Sequence, residues 1–121
     1  MKVDDLFNYF KAEKNTKDLL DIPKDIYKKI AKYLSRFEGI EESKDINYLL
    51  MQREKELILD IAERLIDLRV EKAERLGEKN EQILKLTDEE KYIFDALIKK
   101  EKRRRIVLEA LKKGREKELE K

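Results

Sequence analysis

The chain has 121 residues, 30 Lys or Arg against 28 Asp or Glu, and neither Cys nor His. Disulfides and thiolate metal sites are therefore excluded, and the commonest general base and transition-metal ligand are missing. Charged residues make up 48% of the chain while Gly (3) and Pro (1) are scarce, which predicts one well-solvated, almost all-helical domain with few long loops. Apolar residues recur at helical spacing, which argues against disorder. The Lys, Glu and Ile richness also suits a heat-adapted source, where ion-pair networks cost less desolvation. No apolar run approaches about 20 residues, so no membrane span is expected. The N-terminal residues lack a signal-peptide apolar region, and the chain reads as cytoplasmic.

The first helix is expected from about Lys2 to Lys14, with Val3, Leu6, Phe7 and Phe10 on one face. Asn15, Thr16 and Lys17 break the pattern, and Leu19, Leu20 and Ile22 lead to Pro23. Proline fits a first helical turn, so Pro23 is expected to open the second helix, carried by Ile26, Tyr27, Ile30, Leu34 and Phe37. Gly39 fits its stop. Glu41 to Lys44 form a polar link, after which Ser43 or Asp45 caps a third, long helix that Gly77 ends. Some 32 residues at about 1.5 Å each give a rod of about 48 Å. A compact chain of this length has a radius of gyration near about 14 Å, so either the shape is elongated or part of the rod serves a partner.

That third helix carries unusual apolar surface. Wound at about 100° per residue, Leu57, Ile58, Leu59, Ile61, Ala62, Leu65, Ile66 and Leu68 cover about 200°, twice an ordinary surface stripe. Two packing partners are implied, its own domain and a second subunit. Leu57, Ile58, Ile61, Leu65, Ile66 and Leu68 are the candidate subunit interface. Arg69 and Lys72 fall inside the same arc. They either pair with acids inside the domain or brace a subunit interface, and both alternatives stand at this point.

Glu78 to Lys85 read as a charged link. Thr87 can cap a fourth helix, with Glu90 closing a capping box. Ile93, Leu97, Val107, Leu108 and Leu111 share one face of it, interrupted by Lys100 and Arg104, so the helix either bends or projects beyond the core there. Tyr92 and Phe94 read as core or edge residues. Residues 1–114 form the helical domain, and 115–121 a charged tail or linker stub. There is no internal repeat, and no heptad pattern regular enough for a coiled coil. The expected fold is all-α, an elongated bundle of about four main helices around one long central helix.

Charge is uneven. Residues 91–121 hold 12 Lys or Arg against 6 Asp or Glu, a net of +6, while residues 1–90 hold 18 against 22, a net of −4. Lys99, Lys100, Lys102, Arg103, Arg104 and Arg105 form a possible basic contact patch for nucleic acid or an acidic protein face. Its plain alternative is a solvated helix face. The carboxylate pairs Asp4/Asp5, Glu41/Glu42 and Glu89/Glu90 sit at expected helix starts or links, where they serve the helix dipole. Gly39, Gly77 and Gly114 are isolated, so no glycine-rich phosphate loop exists. Nothing here supports catalysis, and no catalytic residue, cofactor or metal is expected.

Taken together, the N-terminal helix, the segment Leu20 to Tyr27, the long helix ending in Leu68-Arg69-Val70-Glu71-Lys72, and Leu86-Thr87-Asp88-Glu89-Glu90 resemble the helical A domain of an archaeal GINS subunit of the A-domain-first type. Arg69 and Lys72 match that family's Arg-x-x-Lys, and Leu86, Thr87 and Glu90 match its Leu-Thr-x-x-Glu. The resemblance implies a non-catalytic DNA replication scaffold, assembled as a tetramer with itself or a second GINS-type subunit. It also implies a bridge between the MCM helicase and a Cdc45/RecJ-like protein. The family's small β-rich B domain has no counterpart here, since the chain ends near where the linker to it would begin. Two other readings follow from the residues alone, a small helical nucleic-acid-binding module using Lys99 to Arg105, and a homo-oligomeric structural bundle.

Overall fold

One 31-residue helix organises the structure, a computed structural model that describes residues 2–38 and 45–119. The helices are α1 (Val3–Lys14), α2 (Ile26–Leu34), α3 (Ile46–Leu76), α4 (Asp88–Lys113) and the single turn α5 (Glu116–Leu119), with 3-10 turns at Ser35–Phe37 and Glu81–Lys85. No strand occurs among the described residues, and the fold is all-α as the spacing predicts. At about 1.5 Å per residue α3 alone is about 46 Å long.

The stop and start signals act where their chemistry requires. Asp45 caps α3 by accepting the Asn47 N–H at 3.1 Å. Thr87 caps α4: its hydroxyl accepts the Glu90 N–H at 3.2 Å, and the Glu90 carboxylate accepts the Thr87 N–H at 2.9 Å. The box satisfies two N–H groups that a helix start leaves orphaned. Gly114 ends α4 in the left-handed region at φ 64°, and the Arg115 N–H then reaches back to the Ala110 carbonyl at 2.9 Å. The second helix starts later than expected. Pro23 instead makes a turn whose carbonyl accepts the Ile26 N–H at 3.1 Å, and α2 begins at Ile26. The expected stop at Gly39, the pair Glu41/Glu42 and the cap alternative Ser43 lie outside the described residues. The segment read as a charged link folds into the second 3-10 turn, capped by Asn80 accepting the Gln82 N–H at 2.9 Å.

Two apolar clusters hold these elements. Leu6 of α1, Ile22, Ile26 and Ile30 of α2 and its approach, and Ile58, Ile61, Ala62 and Leu65 of α3 form the first. Leu19, Ala73 of α3, Leu86 and Phe94 of α4 form the second, with Leu76, Ile83 and Ile98 packed against it. The contacts at Arg69–Glu90 and Lys102–Glu78 set the direction of α4. Moving from Arg69 to Glu78 matches moving from Glu90 to Lys102, so α4 runs parallel to the end of α3 and then outruns it. Past Lys102, 11 residues of α4 run on for about 16 Å beyond that ion pair. This explains why Val107 and Leu111 are exposed although they share a face with Leu97. The α4 helix continues to Lys113, with Lys100 and Arg104 both exposed beside the end of α3. Ala110 is buried, and the chain reverses beside it through Gly114 into α5. Tyr92, read as core or edge, is 82% exposed, whereas Phe94 two residues on is buried.

The capping box makes a direct prediction. Thr87→Ala should lower unfolding stability by about 1–2 kcal/mol in chemical denaturation, and Thr87→Ser should retain most of it. Equal stability of the alanine variant and the wild type would show that the cap contributes nothing.

Candidate functional site

Between the two apolar clusters lies a buried ion network. Arg69 and Lys72, one turn apart on α3, point into the domain with 0% and 1% exposure. Glu13 of α1 and Glu90 of α4 face them, each fully buried. Arg69 donates from Nη1 to Glu13 Oε1 at 2.6 Å and from Nε to Glu90 Oε2 at 2.8 Å. It also donates to the carbonyls of Leu20 at 2.7 Å and Lys85 at 2.8 Å. Lys72 Nζ donates to the carboxylate and the backbone carbonyl of Glu13, each at 2.5 Å, and to the Asp18 carbonyl at 2.9 Å. The carboxylates are equally engaged. Glu13 also accepts the Leu20 N–H at 3.3 Å, and Glu90 accepts the Tyr27 hydroxyl at 2.5 Å. Two cations and two carboxylates balance, and the ammonium uses all three of its donors.

This decides between the two alternatives for Arg69 and Lys72. They pair with acids of their own domain and are not available to brace another subunit. The cause is geometric. Both project from the middle of the apolar arc of α3, between Leu65 and Ala73, where only a full set of partners offsets desolvation. Glu13 was missed by the sequence reasoning, although it continues the face of Val3, Leu6 and Phe10 at helical spacing. Tyr27 is held protonated, its pKa raised by burial first and then by the neighbouring Glu90 charge. The Glu89 carboxylate oxygens are shielded and accept no hydrogen bond among the described residues. That charge sits in the first turn of α4, where the helix dipole favours it.

The remaining interface candidates divide. Ile58, Ile61 and Leu65 are buried at 5% exposure or less in the first cluster, so they serve this chain's own core rather than a partner. Ile66 and Leu68 are half-buried. Leu57 is 50% exposed at the edge of the arc. On the helix it aligns within about 40° of Ile46 and Leu50, both exposed, with Leu49 beside them. The apolar excess of α3 thus lies on its flank and at its N-terminal end, where Glu54 accepts from the Tyr33 hydroxyl of α2. At the opposite pole the projecting end of α4 exposes Ile106, Val107 and Leu111.

The basic patch is partly neutralised. Lys102 pairs with Glu78 at 3.5 Å, and Arg104 and Arg105 share Glu101 at 3.2 and 3.3 Å. Among the described residues Lys99, Lys100 and Arg103 make no ion pair, and all six cations are exposed. No helix of the described residues is long and apolar enough to cross a membrane, and no group of three Asp or Glu residues among them could hold a metal ion. Comparison with known protein families, curated proteins and solved structures finds no match to this chain.

Two predictions test the network. Arg69→Ala should destabilise the fold by about 3–5 kcal/mol, because two buried carboxylates lose their common partner. An unchanged melting temperature would exclude that role. Tyr27→Phe tests linkage. Because the folded state raises the Tyr27 pKa, the stability it contributes is complete below the unfolded value of about 10 and falls as pH rises above it. Above that pH the wild type should lose up to about 1.4 kcal/mol per pH unit more than Tyr27→Phe, read from denaturation curves at stepped pH.

Proposed function

We propose that this protein is a non-catalytic scaffold that joins partners through the two projecting helix ends. The observation that carries the reading is their exposed apolar surface, with Ile46, Leu50 and Leu57 on one stripe of α3 and Val107 and Leu111 on the end of α4. Each lies on a helix whose backbone bonds are already made, so neither stripe can fold back onto its own core without breaking the helix. Burying one such Leu or Ile against a partner contributes about 1.5–3 kcal/mol, enough for several to sustain an assembly.

The replication role rests on the GINS resemblance, and one structural fact supports treating its two motifs as a set. Arg69 of Arg-x-x-Lys and Glu90 of Leu-Thr-x-x-Glu are 21 positions apart and meet at 2.8 Å in one buried network. On this reading the partners are a second copy or a second GINS-type subunit in a tetramer, the MCM helicase and a Cdc45/RecJ-like protein. Lys99 and Arg103, unpaired among the described residues, favour the second reading, a nucleic-acid-binding module. They lie within about 40° of the exposed Tyr92 on the wheel of α4, and an aromatic beside cations is what single strands stack on.

The test is a nuclease-treated affinity capture of the tagged chain from its native extract, with mass-spectrometric identification and the assembly mass measured alongside. The wild type should recover a GINS-type subunit together with MCM or a RecJ-like protein. Leu50→Glu with Leu57→Glu should lose one class of partner, and Val107→Glu with Leu111→Glu another, at unchanged helix content. Identical partners and mass from all three chains would overturn the bridging reading. Partners that vanish with nuclease would favour the nucleic-acid module.

A further inference from the structure

We infer that the cleft between the end of α3 and the middle of α4 binds an acidic peptide segment of a partner protein, anchored by apolar side chains. The cleft opens where the chain turns off through Gly77 while α4 runs on, and it has a volume of about 670 Å³. That lies in the range of pockets that enclose a ligand, about 300–1,000 Å³. Leu76, Leu97 and Ile98, each half-buried, line its floor and extend the second apolar cluster to the surface.

The charges around that floor select the occupant. Five cations line the cleft against three carboxylates, a net of +2. Lys102 is tied to Glu78, while Arg104 and Arg105 share Glu101. Lys79 and Lys100 make no hydrogen bond or ion pair among the described residues. The cleft therefore offers an apolar floor and two uncommitted ammonium groups. A segment with two or three large apolar side chains flanked by carboxylates satisfies both. A nucleic-acid backbone does not. It brings no apolar side chains to the floor, and with three of the five cations already paired only two are left for its closely spaced phosphates. Neither projecting stripe contributes to the cleft, so binding here is independent of bridging through the helix ends.

The full chain would be panned against a display library of random dodecapeptides at near-physiological salt. Enriched sequences, made with a fluorescein label, would be measured by polarisation. Lys79→Glu with Lys100→Glu reverses both uncommitted cations at exposed positions and leaves the core intact, which circular dichroism checks. Lys11→Glu with Lys28→Glu reverses two exposed cations that do not line the cleft and serves as the control. The expected result is a consensus of Leu, Ile or Phe with Asp or Glu, an affinity at least about tenfold weaker in the cleft variant, and little change in the control. No enrichment, a consensus without acids, or equal losses in both variants would overturn the inference. So would a labelled oligothymidylate strand that binds more tightly than the selected peptides and is lost in the cleft variant, since the cleft would then be a nucleic-acid site.

Discussion

Everything in this fold depends on keeping Arg69 and Lys72 paired inside the domain. Two cations out of water are tolerable only when their charge is matched and their donors are engaged, and the acceptors come from four different places in the chain. Glu13 arrives on α1, the carbonyls of Asp18 and Leu20 on the segment that follows, the Lys85 carbonyl on a 3-10 turn, and Glu90 on α4. None of these elements can move away without stranding a charge. An apolar core of equal volume tolerates sliding and repacking, whereas directional bonds to fixed atoms admit one arrangement. The network therefore specifies geometry, and the apolar clusters on either side supply most of the cohesion.

The geometry it specifies is the parallel course of α4 beside the end of α3. Glu90 performs two tasks with its two oxygens. Oε1 accepts the Thr87 N–H and completes the cap that starts α4, while Oε2 holds Arg69 and Tyr27. The start of α4 is thereby fixed in position by the same carboxylate that allows it to begin. From that anchor α4 can only run past the end of α3, away from the pole where α3 itself begins. The separation of the two apolar ends follows from one glutamate's bond geometry and the lengths of two helices.

Much of this was legible beforehand, because helix starts and stops are written in single residues. Asp45, Gly77, Thr87 with Glu90, and Gly114 mark the boundaries of α3 and α4 as capping chemistry requires. The width of the apolar arc of α3 was legible too, but not its allocation. A wheel shows which residues share a face and not which part of the face another helix covers. Ile58, Ile61 and Leu65 at the centre went to the core, and Leu57 and Leu59 at the edges stayed exposed. Glu13 was legible in principle, since an acid continuing an apolar stripe on α1 answers two cations within an apolar stripe on α3. Pairing them requires knowing that the two helices pack together, which no local pattern states. Tyr92 lies about 200° from Phe94 on the wheel of α4, so with Phe94 turned to the core Tyr92 faces solvent.

The distribution of charge and apolar surface separates what the fold itself consumes from what it leaves open. The buried network pairs two cations with two carboxylates and is closed to solvent. What remains open to other molecules is the surface the network leaves over. It consists of two helix ends that carry leucine and isoleucine into water, and a cleft with unpaired lysines between apolar walls. The α4 end runs about 16 Å past its ion pair with Glu78, and only the short α5 folds back beside it, covering Ala110 while Val107 and Leu111 stay exposed. Covering such residues with another molecule would release free energy, and it is on this that the proposed scaffold role rests.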